Sequence, residues 1–458
     1  MNKYLHILPL FLSIFILSTS CKKFIQVGPP KTGLTDKSIY ESTATVRAVI
    51  NGIYADMQGG SSFASGGDES ITQVCGLSSD ELINYATSSD YTAIYQNAIS
   101  PTNVEPSHST WNNPYYYIYE CNSLIEGIPV STTISETDKR SLISEAKFIR
   151  AFCYFYLANL YGDVPLHLTS DYRSNSNVAK TLQKDVYTQI VNDLKDAEAG
   201  MLPPGAGDTR IIPNADVASA LLARVYLYTG QNQGALSECN KIIANTGRYQ
   251  ILPDLNEVFL QESKEAIWQL QPVIPGSGTN EGAHFILTDA PIDVSLSDGL
   301  VASFEQGDRR REDWVGEITV NEITYYFPYK YKIQSEPTPT EYSMVIRLAE
   351  VYLIRAEAEL AIGDISAAAA DVNAIRSRAG LPNTSATDQE SLKLAIEHER
   401  RVELFTEWGH RWLDLKRTGR ATTVLSPIKT SWKETAIYYP IPQAEINTNK
   451  KIIQNSGY

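Results

Sequence analysis

The stretches ADVASALLARVYLYTGQNQGALSECNKIIAN (215–245) and RLAEVYLIRAEAELAIGDISAAAADVNAIRSRAGLP (347–382) read as two copies of one unit. A glycine punctuates each, Gly230 and Gly363. Each glycine has an alanine seven residues before it and another five after it: Ala223 and Ala235 in the first copy, Ala356 and Ala368 in the second. Helix-period apolar residues run on both sides of the glycines. Small side chains let two helices cross closely, and a glycine accepts the backbone of a tight turn between them, so each copy reads as a helical hairpin. Pro382 closes the second copy. One hairpin cannot bury a core of its own, so the copies are expected to stack, and the fold class is mostly α.

These hairpins resemble tetratricopeptide units. Working outward, Ser141 to Tyr161 sets Leu142, Ala146, Ile149, Cys153, Tyr156 and Leu160 on one stripe and stops at Gly-Asp-Val-Pro (162–165), which predicts a helix. Met344 to Ile362 predicts another, with Arg347/Glu350 and Arg355/Glu359 at helix-pair spacing. Helical repeats are thus expected over about 36–57, 112–246 and 343–418. Segments 58–111 and 271–339 are rich in Ser, Thr, Asn, Gly and Tyr and weakly periodic, and they read as irregular, loop-rich insertions. Within the second, Glu317 to Tyr331 predicts a small β-hairpin turning at Asn321 and Glu322.

With 458 residues, 43% hydrophobic and 20% charged, the chain has an ordinary globular balance. Its 53 acidic against 39 basic residues leave a net charge of −14, which lacks the positive field that nucleic-acid binding needs. The aromatic set is 27 Tyr and 6 Trp against 12 Phe, and rings with a polar tip suit half-wet surfaces as well as cores.

The first twenty residues stand apart from the fold. Lys3 precedes an apolar run, Ile7 to Leu17, too short to span a bilayer and suited to a signal-peptide core. Ser18, Thr19 and Ser20 then lead to Cys21, and this order resembles a lipobox, with Leu17 one place further from the Cys than usual. The reading is a signal peptide over 1–20, a lipidated Cys21 with a polar tether over 21–33, and a single domain over 34–458. Several acyl chains on one Cys would anchor the protein stably. The other cysteines, Cys75, Cys121, Cys153 and Cys239, show no paired spacing; zinc is not expected, and the three in helical patterns read as small buried hydrophobes.

Near the C-terminus, ERRVELFTEWGHRWLDLKRTG (399–419) places Val402, Phe405, Trp408, Trp412 and Leu415 on an apolar face, and Glu407 can pair with Arg411 across one turn. Glu399, Arg400, Glu403, Glu407, Arg411, Asp414, Leu415 and Arg417 of this stretch resemble the hallmark of the SusD/RagB family. So do the ending YYPIPQAEINTNKKIIQNSGY (438–458) and EAKFIRAFCYFYLANLYGDVPL (145–166). The resemblance covers essentially the whole chain. It implies a SusD-like fold on tetratricopeptide-like pairs, an outer-membrane lipoprotein facing outward, and a lid that captures a glycan or oligosaccharide for a SusC-like TonB-dependent transporter. One departure is Lys22 and Lys23, where many surface-exported relatives carry acidic residues.

The family's ligand site usually lies in the irregular insertions. Sugars offer CH faces to aromatic rings and hydroxyls to Asp, Asn, Gln and Arg. The candidates are therefore Asp80, Glu81, Asn84, Tyr85, Tyr91 and Tyr95 in the first insertion, and Trp314, Tyr325 and Tyr326, with Arg309 to Arg311 nearby, in the second. Trp111 has helix spacing to Tyr115 and Ile118 and reads as core. No cofactor is expected. A helical glycosidase is the catalytic alternative, with Asp80, Glu81, Asp289 or Asp293 as its carboxylates. HExxH, GxSxG and Walker patterns are absent, and His398 and His410 read as surface residues, so a non-catalytic binding protein is the expectation. Peptide uptake, as in RagB-like members, is the alternative ligand class.

Overall fold

The computed structural model describes residues 36–60, 62–205 and 209–458, so the expected signal peptide, Cys21 and the whole tether lie outside the described residues. Helices dominate: α1 (Thr43–Gln58), α2 (Ile71–Ser78), α3 (Asn113–Gly127), α4 (Glu136–Tyr161), α5 (Gln183–Gly200), α6 (Ala215–Tyr228), α7 (Asn232–Ile243), α8 (Leu348–Ala361), α9 (Ile365–Arg378), α10 (Gln389–Glu403) and α11 (His410–Arg417). Short strands pair two by two: β1 (Leu82–Asn84) with β3 (Val294–Leu296), β2 (Ala266–Leu270) with β6 (Ser343–Arg347), and β4 (Val315–Val320) with β5 (Ile323–Pro328).

The two repeat units fold as expected. Gly230 (φ 69°) turns α6 into α7, and Gly363 (φ 91°) turns α8 into α9. Ala223, Ala235, Ala356 and Ala368 are fully buried, and α7 packs on α8, so the hairpins stack. A buried bidentate pair ties the stack together: Arg224 on α6 donates to both carboxylate oxygens of Glu350 on α8, at 2.6 and 2.7 Å. The helix expected over 344–362 begins only at Leu348. Met344 to Arg347 instead form β6, which lies antiparallel to β2 with every residue of both strands buried. Arg347 accordingly does not pair with Glu350.

Helix α4 is the spine. Ser135 caps its start, its Oγ accepting from the Asp138 backbone N–H, and Gly162 (φ 74°) ends it. Phe148 through Tyr161 are buried on every side. Phe148 and Phe152 meet Trp268 edge-on at 5.2 and 5.3 Å between ring centroids, and Tyr156 reaches Trp408 at 5.9 Å. Each such ring contributes roughly 1.5–3 kcal/mol by leaving water. Trp111, in a π-helical turn before α3, is core as expected. Cys75, Cys121, Cys153 and Cys239 are free and buried. Chain 438–455 closes over the end of α4: Tyr439 N donates to Leu160 O at 2.8 Å, and Asn455 Nδ2 donates to Tyr161 O and Tyr439 O.

The segment expected as an irregular first insertion is more helical than its pattern suggests. All residues of α2 are buried, and short helices follow at Ser89–Tyr95 and Val104–Ser107. A helix enclosed all round shows no amphipathic period. Its polar residues are spent on bonds within the protein: Ser70 caps α2 locally, and Ser78 bonds the hydroxyl of the distant Tyr439 at 2.7 Å. The second insertion carries the expected hairpin, β4–β5, in register Val315↔Pro328 to Val320↔Ile323. Its turn residues Asn321 (φ 51°) and Glu322 (φ 69°) adopt the positive φ that two-residue hairpin turns require.

Candidate functional site

The two insertions are joined by backbone. β1 pairs with β3 as Leu82↔Leu296, Ile83↔Ser295 and Asn84↔Val294. The ladder continues at each end, where Tyr85 N donates to Asp293 O and Ser297 N to Glu81 O, both at 2.8 Å. β3 also packs on β5. This juxtaposition brings Tyr85, at the end of β1, against Tyr325 on the hairpin: the rings meet edge-on at 5.8 Å and 80°.

Tyr85 is exposed, and Tyr325 and Tyr326 are half-buried. The Arg311 guanidinium lies over the Tyr326 ring at 5.1 Å and reaches Glu317 at 3.0 Å. Tyr95 is half-buried, and burial, with Tyr85 adding to it, raises its phenol above the usual range. The buried Lys429 Nζ sits over the Tyr95 ring, 3.7 Å from its centroid, and burial pushes its ammonium down to about 7. Asn84 is half-buried, its amide turned to Ala86 O and N. The outcome is a two-ring ridge of Tyr85 and Tyr325; Tyr326, the next residue along β5, points to the opposite face of the hairpin with Glu317 and Arg311.

Four of the expected ligand residues do other work. Asp80 is enclosed between Arg411 (2.7 Å) and Arg401 (2.8 Å); burial opposes its charge, but Arg411 and then Arg401 hold the carboxyl below its usual range. Glu81 is buried, and burial, with the Asp80 charge added, pushes its carboxyl up to about 8. Tyr91 is buried with its hydroxyl donating to Asp68. Trp314 is wholly enclosed: its Nε1 donates to Leu255 O at 3.1 Å, and Lys330, Arg378 and Arg347 stand over the ring at 4.9, 5.3 and 5.6 Å. None of these four offers a face to a ligand. His410, read as a surface residue, is buried beside Glu350, and burial lowers its imidazole to about 4.

A family model described as "SusD family" matches residues 313–430, and one described as "Starch-binding associating with outer membrane" matches residues 23–227. A SusD-like protein of Formosa agariphila is 24% identical over 96% of this chain and 97% of its own length. The starch-binding protein SusD of Bacteroides thetaiotaomicron is 26% identical over 69% and 72%. Among solved structures, a SusD superfamily protein from Bacteroides vulgatus superposes with a TM-score of 0.80 at 22% identity, covering 91% of this chain and 99% of that one. A laminarin-binding SusD-like protein superposes at 0.75 with 27% identity, covering 92% and 100%.

This chain belongs to the SusD family. Its fold is the mostly helical SusD-like one. The motif residues that carried the family resemblance turn inward in this SusD-family chain. After α10 the backbone breaks through Thr406 (φ 49°), Trp408 (φ 50°) and Gly409 (φ 71°), and a β-carbon on Gly409 would lie 2.7 Å from that of Cys75. Glu407 does not pair with Arg411. It accepts from Arg347 Nε at 2.7 Å and from Lys330, while Arg411 serves Asp80. Glu399 and Glu403 accept from Arg310 Nη1 at 2.6 and 2.9 Å, and Glu403 also accepts from Arg347 and Arg378. Arg378 reaches Glu265 at 2.8 Å, and Asp308 closes on Arg310 at 2.8 Å. Against its burial, Arg378, Arg347 and Arg310 hold the Glu403 carboxyl well below the usual range. This buried cluster pins the foot of the tyrosine-bearing hairpin to the helical repeats. The sequence singled out its acidic members as a motif but carries no local sign of Lys330, Arg310 and Arg378 as their partners, nor of Lys429 beneath Tyr95.

Proposed function

We propose that this protein is a non-catalytic, surface-displayed lipoprotein that captures a neutral glycan on the Tyr85–Tyr325 ridge and delivers it to a SusC-like TonB-dependent transporter. The observation that carries the reading is the meeting of Tyr85 and Tyr325 at the surface, 5.8 Å apart, on a SusD-like scaffold. Tyrosine faces accept the CH faces of pyranose rings, and the phenol hydroxyls bond sugar hydroxyls. Starch and laminarin binding in the named relatives support the ligand class.

Attachment would run through Cys21 at the outer membrane. Among the described residues no helix is long and apolar enough to cross a membrane, so the lipid is the anchor in this reading. A glycosidase would need a solvent-reachable acid and a second carboxylate at a set separation. Of the four carboxylates of that alternative, Asp80 is consumed by two arginines and Glu81 is enclosed, which leaves only Asp289 and Asp293 open to solvent and favours binding over catalysis.

Detergent extraction with a tagged copy of the full lipoprotein tests the delivery step. Recovery of a TonB-dependent barrel in stoichiometric amount is expected, and its absence from the eluate contradicts the partner assignment.

A further inference from the structure

A second aromatic site lies away from the ridge and shares no residue with it. Between α3, the segment Pro165–His167 and the C-terminal segment around Glu445 is a cavity of about 350 Å³. Tyr116 and Tyr119 on α3 are each 50% exposed at its rim, and Tyr172 is 70% exposed with Arg173 over one face at 5.5 Å. Of the five exposed tyrosines among the described residues, Tyr85, Tyr116, Tyr119, Tyr172 and Tyr458, three gather at this cavity. Tyr119 also lines a neighbouring cavity of about 440 Å³.

The spacing of helix residues explains the display. Tyr115 turns into the protein, its hydroxyl donating to Pro165 O at 2.8 Å and its ring 5.2 Å from that of His167, whereas Tyr116 and Tyr119, three apart on one turn, face outward. The polar lining is made of groups that bond hydroxyls. The Glu445 carboxyl has no ion-pair partner among the described residues, and Asn112 presents an exposed amide. His167 is neutral, burial lowering it to about 4. The cavity lining itself contains neither Lys nor Arg, and the nearby Arg173 is engaged on the Tyr172 ring and hydroxyl, so an acidic sugar or a peptide carboxylate beside Glu445 would meet a like charge.

We infer that this cleft is a second carbohydrate site, which takes a neutral oligosaccharide by stacking on Tyr116, Tyr119 and Tyr172 and by hydrogen bonds from its hydroxyls to Glu445 and Asn112. A chain with two separated aromatic sites holds a long glycan at two points, so the second contact is intramolecular and raises avidity without a larger first site. The ligand class rests on the same sugar–tyrosine chemistry as the proposed function, but the site is independent of the ridge.

Hydroxyl-radical footprinting of the full lipoprotein in detergent micelles reads the exposure of each tyrosine separately. Maltohexaose, laminarihexaose, xylohexaose and, as an acidic control, oligogalacturonate are the probes. The inference expects a several-fold drop in oxidation of Tyr119 and Tyr172 with at least one neutral probe and none with the acidic control. It also expects that protection to persist in a Tyr85→Ala/Tyr325→Ala variant, and protection of Tyr172 to be lost in Tyr119→Ala. Protection of Tyr85 and Tyr325 alone would overturn the second site and leave the proposed function standing. Protection of Tyr119 and Tyr172 alone would keep the second site and remove the ridge, protection of neither pair would remove both, and protection by the acidic probe alone would overturn the neutral class.

Discussion

Tyr85 and Tyr325 stand edge to face with ring centroids 5.8 Å apart, one at the end of a strand in the first insertion and the other in the hairpin of the second. Their meeting depends on the three-residue pairing of β1 with β3 and on the buried ion cluster that holds the hairpin foot. Several consequences of that dependence are measurable.

Glu403 accepts from three arginines in the interior, so Glu403→Gln leaves buried cationic charge uncompensated. Breaking one side of such a cluster costs about 3–5 kcal/mol. Urea unfolding should show that loss for Glu403→Gln. Glu136→Gln, at an exposed pair with Lys139, should fall within about 0.5 kcal/mol of the parent.

Stability should depend on the Glu81 carboxyl with a definite sign. Its folded value is raised from 4.5 to about 8 by burial, so the folded protein binds a proton that the unfolded chain releases. The stabilising contribution is complete below pH 4.5 and is lost as pH rises toward 8, with a slope up to about 1.4 kcal/mol per pH unit. The difference in unfolding free energy between the parent and Glu81→Gln, measured across that window, isolates this group from Lys330 and Lys429, which titrate in the opposite sense. A difference that stays flat contradicts the assignment of Glu81 as a protonated buried acid.

Gly230 and Gly409 both adopt a left-handed backbone, but their surroundings differ. Nothing lies within 4 Å of a β-carbon built on Gly230, whereas at Gly409 it would meet Cys75 at 2.7 Å. Gly230→Ala should cost about 1 kcal/mol, the conformational part alone. Gly409→Ala should cost a further 1–3 kcal/mol or so from overpacking, read as a larger fall in denaturation midpoint.

Much of the scaffold was legible because its signals are local. Gly230 and Gly363 with their flanking alanines, and Asn321–Glu322 at the hairpin turn, each state in a few residues what the backbone must do. The errors share one cause, which is that local spacing nominates a partner and the folded interior selects another. Arg347 and Glu407 each have an opposite charge one helical turn away, yet they bond to one another, because β6 and the break after α10 bring them together in a site without water. Trp314 and Glu81 sit in polar, loop-like sequence and are nonetheless enclosed, since hairpin and strand pairing fold those segments onto the core. Of the candidate site, Tyr85, Tyr325 and Tyr326 were visible only as members of clusters, and which members face outward is decided by strand register.

The lipid anchor makes a separate prediction. Cys21→Ala should move the protein from the membrane fraction to the soluble one and remove the mass of the acyl groups, with the unfolding transition of the domain unchanged. Retention in the membrane fraction with no acyl mass on the parent contradicts anchoring at Cys21.

The central claim is tested most directly by calorimetric titration of maltohexaose and laminarihexaose into the parent, Tyr85→Ala, Tyr325→Ala and the double variant. Loss of either ring should weaken binding of the preferred oligosaccharide at the tighter site by on the order of 1 kcal/mol, about fivefold, and the double variant by less than the sum, because the two rings form one surface. Affinity unchanged in all three variants, with their folds intact, would contradict the account.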